Sequence, residues 1–312
     1  MVVINIPYYA PTGDFNNWNL LGKHLKIKVI IGEKQLKEFL KSVSKDDVLI
    51  ISTKNTSLDL LNSGFQVIHY QNVIISEKET KDLFNKLFQY PNLQGIIYGS
   101  DEIKEKFLSS FDKPTFKFQP VINVQHLEKI KGKFLIKSFS KIKVIFPLSY
   151  YRNDIKNVQL AVKIAKLMED NDDVDFYLIG SNLKECPYLQ NVPKNLKFSF
   201  LPKPQFYYFL KEMNICIIPS KSDCFPTSLV EAMFFNCYPI VSNVREMYKI
   251  SYLGKVIDTN SPEPYIEAIN QIKFHDIDFS ELENFARKFD VKLFKVKFHK
   301  WLFDYFYDFS IL

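Results

Sequence analysis

The 312 residues carry 41 Lys and Arg against 35 Asp and Glu, a net charge of +6, with 46% hydrophobic and 24% charged residues. That is the balance of a globular chain with length for two domains of roughly 130 to 160 residues. The lysines are scattered, which argues against a nucleic-acid footprint. No apolar run nears the roughly 20 residues of a membrane span. An anionic partner such as a nucleotide or a lipid surface is compatible with this charge but not demanded by it.

The chain opens on the strand-like run MVVINIP, from which we expect no signal peptide. Strands are then predicted at Val2–Ile6, Lys26–Ile31, Asp47–Ser52, Phe65–Tyr70, Gly95–Tyr98 and Thr115–Pro120. Between them lie amphipathic stretches such as EKQLKEFLKSV and SEKETKDLFNKLF. Such alternation implies βα units around a parallel sheet. After a connection at EKIKGKFLIKSFSK the pattern restarts. Strands are predicted at Lys143–Pro147, Asp175–Ile179, Leu196–Leu201, Asn214–Pro219, Tyr238–Ser242 and Gly254–Ile257, with helices at Val158–Glu169 and Gln205–Met213.

The expected organisation is α/β, two Rossmann-like parallel-sheet domains. Residues 1–128 would form the first, 129–141 a linker, 142–290 the second and 291–312 a terminal helix. The simplest expectation for that helix is burial of Phe294, Phe298, Trp301 and Tyr305. Its lysines leave a weak peripheral contact with a membrane surface as the alternative, opposed by Asp304 and Asp308. The four cysteines, Cys186, Cys216, Cys224 and Cys237, form no CxxC pair and have no His cluster. They fit reduced thiols in a cytoplasmic protein.

One stretch carries chemistry: Lys221 to Val244, KSDCFPTSLVEAMFFNCYPIVSNV. Pro219 and Ser220 end a buried strand at the carboxyl edge of a parallel sheet, where open α/β sheets bind ligands. Pro226 suits the first turn of a helix, Thr227 or Ser228 could cap it, and Asn236 could stop it in the left-handed conformation. A helix N-terminus attracts phosphate. Acids on either side of it, Asp223 before and Glu231 one turn inside, suit hydroxyls instead. Together they suggest a phosphate between two polyols, as in a nucleotide-sugar. The plainer alternative has Asp223 supporting the helix N-terminus and Glu231 on a solvated face.

The string D-C-F-P-T-S-L-V-E-A-M, Asp223 to Met233, resembles the acid-x7-Glu signature E-G-F-x5-E-A-M of the group 1 retaining glycosyltransferases of GT-B fold. NICIIPSKSD upstream and PIVSNVREM downstream are similar to that family's flanking runs, the latter placing Glu246 at a recurrent acidic position. YYRNDIKNVQLAVKIAKL, FYLIGSN, YGSDEIKEKF and FQPVINVQHL extend the likeness over most of residues 90 to 250. The first ninety residues match loosely. The resemblance implies the GT-B architecture, with two Rossmann-like domains facing a cleft and the C-terminal helix crossing back to the N-terminal domain. It implies a nucleotide-sugar donor held by the second domain and an acceptor of unknown kind, glycan, lipid or protein, at the first. It further implies that Glu231 holds the ribose hydroxyls and Asp223 those of the transferred sugar. The backbone of Phe225, Pro226, Thr227 and Ser228 would face the phosphates or sugar, beside Ser220 and Gly180. Arg152 and Lys156 would clamp the diphosphate, though alone they read as a solvated loop. His69 resembles a family histidine that faces the sugar, against the plainer expectation of a structural histidine. Gly13 stands where the family usually has a glycine pair, and reads equally as a plain β–α turn.

No metal or other cofactor is expected. Asp173-Val174-Asp175 spells D-x-D but reads as a charged turn, and Arg and Lys can neutralise a leaving diphosphate. Two departures stand out: Asp223 is one methylene shorter than the usual Glu, and Cys224 replaces a Gly. They leave room for a degenerate member that binds a nucleotide-sugar or a partner without transfer. A different GT-B enzyme, a phosphorylase or epimerase, is a third possibility, without a recognisable cofactor-lysine motif for the former.

Overall fold

The computed structural model describes residues 1–6, 13–25, 27–71, 76–132, 135, 137–151 and 154–307. Lys26, Arg152 and Asp308, all invoked above, lie outside the described residues. The chain forms two compact units, residues 1–121 together with 291–312, and residues 122–290.

In the first unit β1 (Val2–Ile6), β2 (Lys28–Ile31), β3 (Leu49–Thr53), β4 (Gln66–Gln71), β5 (Leu93–Tyr98) and β6 (Thr115–Lys117) alternate with helices. These are α1 (Gly13–Leu25), α2 (Glu33–Leu40), α3 (Lys54–Asn62), α4 (Glu77–Leu87) and α5 (Asp101–Phe107). The strands pair in parallel in the order β2-β1-β3-β4-β5-β6. Helices cover both faces, so the central strands are apolar along most of their length, as Leu49–Ile51 and Ile96–Ile97 show. Local signals set the helix starts. Ser76 caps α4 by accepting from the Glu79 N–H at 3.2 Å, and its hydroxyl donates to the Glu79 carboxylate at 2.9 Å.

The second unit adds α6 (Val124–Lys131), β7 (Ile142–Phe146), α7 (Val158–Leu167), β8 (Val174–Ile179), β9 (Leu196–Ser199), α8 (Lys203–Leu210) and β10 (Ile215–Ile218). There follow α9 (Thr227–Phe234), β11 (Tyr238–Ser242), β12 (Lys255–Ile257), α10 (Glu263–Gln271) and α11 (Phe279–Arg287). The strand order is β12-β11-β10-β7-β8-β9, again all parallel. The chain winds outward from β7 to β9, then returns to β10 and winds the other way. The switch point therefore lies between β7 and β10, where open sheets of this kind take their ligands.

Two boundaries differ from the expected ones. Helix α6 was expected to close the first domain, but Val124, Leu127 and Ile130 pack into the core of the second unit with Phe206, Leu210 and Phe235. The expected linker is likewise bound to the second unit: Lys137 donates to the Met213 carbonyl and Ser138 accepts from Asn214. The terminal helix α12 (Val291–Phe306) packs in the first unit, burying Phe294, Phe298, Trp301, Leu302 and Phe306 against Trp18, Phe116 and Phe118. Tyr305, expected inside, is 60% exposed, because the helical phase turns Phe306 inward in its place. No helix among the described residues is long and apolar enough to cross a membrane.

Phe298 is fully buried, with Phe116 and Trp301 rings 5.1 and 5.7 Å away. Phe298→Ala should cost about 3 to 5 kcal/mol on urea unfolding, and Tyr305→Ala no more than about 0.5 kcal/mol. Equal losses at the two positions would contradict the phase of α12.

Candidate functional site

The site is built on loops that the second sheet holds at its carboxyl edge. Gly180 follows β8, and a Cβ there would sit 1.9 Å from the Leu148 carbonyl oxygen. Only glycine lets β8 exit this close to the loop after β7. Further bonds zip these loops together, Tyr150 N–H to Ser181 O at 3.0 Å and Ser181 N–H to Ser149 Oγ at 3.1 Å.

The loop after β7 then turns into α7 through two non-glycine residues in the left-handed region, Asp154 (φ 44°) and Asn157 (φ 60°). Asp154 compensates by accepting from the Val158 N–H at 2.8 Å, which caps α7. Asn157 donates to the Pro219 carbonyl at 2.9 Å, and the Lys221 N–H donates to Ile155 O at 2.9 Å. The loops after β7 and β10, the two sides of the switch point, are thus fastened to each other.

That fastening carries Lys156 to Asp223. The ammonium lies 2.5 Å from Oδ2 of the carboxylate, and Ser220 Oγ donates to the same oxygen at 3.4 Å. Both side chains are largely buried. Ser220 is in turn held through its carbonyl by the Ser242 hydroxyl at 2.6 Å. Cys224, which replaces the glycine of the resembled pattern, is not among the residues of positive φ, so its side chain costs no backbone strain. Its buried Sγ lies 3.8 Å from Nη1 of Arg245, a half-buried residue in the left-handed region (φ 47°). Phe225 stacks on Phe289 at 5.5 Å.

Pro226 is the residue before α9, and Thr227 is its first helical residue. The N-cap position falls to Pro226, which makes no side-chain cap bond, rather than to Thr227 or Ser228 as expected. Asn236 does stop α9, at φ 59°. The far end is pinned by Lys131, which donates to Phe234 O at 2.8 Å and pairs with Glu283 at 2.6 Å.

Glu231 does not sit on a solvated face. It is 2% exposed, and two residues of α8 meet its carboxylate. Lys203 Nζ lies 2.6 Å from Oε1 and 2.5 Å from Oε2, and the Tyr207 hydroxyl donates to Oε1 at 2.9 Å. Burial, with the Glu231 charge beside it, pushes the Tyr207 hydroxyl far above the usual phenol range. Sequence reasoning missed both partners. A signal was present: Lys203 follows β9 at the carboxyl edge, and Tyr207 lies four residues on, on the same helix face. Glu246 is also buried, 2.8 Å from Lys249.

The structure thus groups Lys156, Ser220 and Asp223, and places Gly180, Phe225 to Ser228 and Glu231 on elements at the same edge. Asp173 and Asp175 stand at the opposite, amino end of β8, where Asp175 pairs with Lys141 at 3.1 Å. Gly13 and His69 belong to the first unit, where Gly13 begins α1. His69 is fully buried in β4, with Nδ1 2.9 Å from Ser57 Oγ and Nε2 3.1 Å from Gln71 Oε1. Both ring nitrogens are thus engaged inside the unit.

This architecture has counterparts. The chain superposes on HepE from Anabaena in complex with UDP and glucose, with a TM-score of 0.72 at 12% identity over 96% of this chain and 98% of that one. It superposes on sucrose-phosphate synthase from Thermosynechococcus elongatus with a TM-score of 0.64 at 15% identity over 96% and 81%. For the trehalose-6-phosphate synthase OtsA the values are 0.66, 10%, 91% and 76%. The fold is GT-B. Residues 141–273, all within the second unit, match the model of the family described as "Glycosyl transferases group 1". No curated protein sequence matches the chain.

Burial lowers the pKa of His69 to about 4. Above its unfolded value of about 6.5 the ring is neutral in both states and its contribution to stability is complete. As the pH falls toward 4 the unfolded chain takes up a proton that the native one refuses, and about 3 kcal/mol is lost. Urea unfolding at pH 4.5 and 7 should therefore show a pH-dependent loss that shrinks in His69→Gln. An unchanged loss in the variant would mean that His69 titrates normally in the folded chain.

Proposed function

We propose that the protein is a glycosyltransferase that moves a sugar from a nucleotide-sugar donor to an acceptor, with retention of anomeric configuration and without a metal ion. The observation that carries this reading is the pair Lys156–Asp223 in the loop that leads into α9, at the switch point of a domain matching the group 1 family. HepE, which shares the fold, is complexed with UDP and glucose.

In this reading the donor diphosphate lies at the α9 N-terminus, where first-turn N–H groups and the helix dipole favour negative charge. Glu231 accepts the ribose hydroxyls and Asp223 those of the transferred sugar. Cleavage of the anomeric C–O bond leaves negative charge on the nucleoside diphosphate. Lys156 neutralises it, leaving its present partner Asp223 free to hold the sugar. Arg152, outside the described residues, is assigned to the same clamp by the family resemblance. The cations take the charge that a metal would otherwise meet. The acceptor is assigned to the first unit, and the location to the cytoplasm.

A thermal-shift screen against UDP, GDP, ADP and CMP tests the donor site. One nucleotide should raise Tm by several degrees, and Glu231→Ala should abolish the shift. Turnover of the matching nucleotide-sugar should survive EDTA and fall at least about tenfold in Lys156→Ala. A folded protein with no shift from any nucleotide would favour a binding module without transferase activity. An equal shift in Glu231→Ala would remove that residue from the site.

A further inference from the structure

Glu231 is too well partnered to meet a ligand unaided. A carboxylate offers roughly four acceptor positions. Lys203 takes one on each oxygen and Tyr207 takes a third. A ribose diol needs two more, so one existing bond must open. The two partners differ in their freedom to do that. Tyr207 packs its ring among Phe206, Phe235 and His126, with centroids 6.2, 6.2 and 6.0 Å away. The Lys203 side chain is 36% exposed, against 3% for Glu231. It lies over the faces of Phe206 and Tyr207 at 5.2 and 5.5 Å. Lysine is also a point charge that can keep one oxygen while releasing the other.

We infer that Lys203 and Tyr207 are positioning residues for ribose recognition: Tyr207 fixes the plane of the Glu231 carboxylate, and Lys203 covers the acceptor positions that the ribose diol takes over. This rests on the donor reading above and adds to it a means of selection. A ribose with two hydroxyls replaces the bond that Lys203 gives up. A deoxyribose that displaces Lys203 from the same oxygen returns only one hydroxyl and leaves an acceptor unmet in a buried place. The pair thereby selects ribonucleotides against deoxyribonucleotides, using two residues twelve and eight positions before the strand β10 rather than the acid motif itself.

The test compares UDP with 2′-deoxy-UDP, GDP with 2′-deoxy-GDP and ADP with 2′-deoxy-ADP by calorimetry, using the full chain. The wild type should bind one ribonucleotide at least about tenfold more tightly than its deoxy partner, the worth of one charge-assisted hydrogen bond. Tyr207→Phe and Lys203→Met should reduce this ratio to about twofold or less, and Lys203→Arg should restore most of it. Tyr207→Phe removes a single hydroxyl and decides the matter alone if Lys203→Met does not fold. Undiminished discrimination in both variants overturns the inference while leaving the donor site intact. A wild type that binds no nucleotide overturns the donor reading and the inference with it. One that binds without discrimination overturns the role of Glu231 toward ribose, and the inference falls for that reason.

Discussion

An ionised carboxylate taken out of water loses hydration worth several kcal/mol, and only cations and hydrogen-bond donors arranged around it make that tolerable. Glu231 imposes this requirement on the second unit. It stands on a helix whose inner residues, Leu229 to Phe234, are all buried. The donors must therefore come from another element, and α8 supplies them after β9 ends at the same edge of the sheet. Helix α9 is thus held at Glu231 by α8 and at its far end by Lys131 of α6 and Glu283 of α11. Its N-terminus is consequently fixed in place relative to the loops after β7 and β10.

The second acid is handled differently. Asp223 is half-way along a loop rather than on a helix, and it is neutralised by Lys156 from across the switch point. The cation and the acid exist as a site only because Asn157 and Lys221 tie the two loops together. A shorter acid than the family's usual Glu is paired here with a lysine that reaches it fully. The cysteine that replaces the usual glycine is accepted because the chain does not need a positive φ at that point. The departures from the resembled pattern are thus absorbed locally, by a side chain on one side and by ordinary backbone geometry on the other.

Much of this was legible in the residues. Continuous apolar runs of four to six residues mark the buried parallel strands, and the acid-x7-Glu string with its Pro-Thr-Ser turn marks α9 and its position at the carboxyl edge. What could not be read was pairing between distant side chains. Nothing in LPKPQFYYFL states that Lys203 and Tyr207 face Glu231, since the contact depends on how α8 lies beside α9. The same holds for His69, whose isolation in sequence gives no hint of Ser57 and Gln71 on either side. The domain boundary failed for a related reason. The spacing of Val124, Leu127 and Ile130 shows that α6 is amphipathic but not which core receives it. At the end of the terminal helix, the closely spaced aromatics Trp301, Phe303, Tyr305 and Phe306 left the phase ambiguous by one residue, enough to exchange Tyr305 for Phe306.

The placement of α12 also bears on the order in which the molecule can be made. The core of the first unit includes Trp18, Phe118 and Val121 from the start of the chain, and Phe294, Phe298 and Trp301 from near its end. The second unit is contiguous, from Ile122 to Asp290. During synthesis the ribosome therefore releases everything the second unit needs before the first unit can close. The usual amino-to-carboxyl order of domain folding is reversed at this one point. Until α12 emerges, the apolar face that it covers on the nascent first unit stays open to water and to whatever chaperone is present.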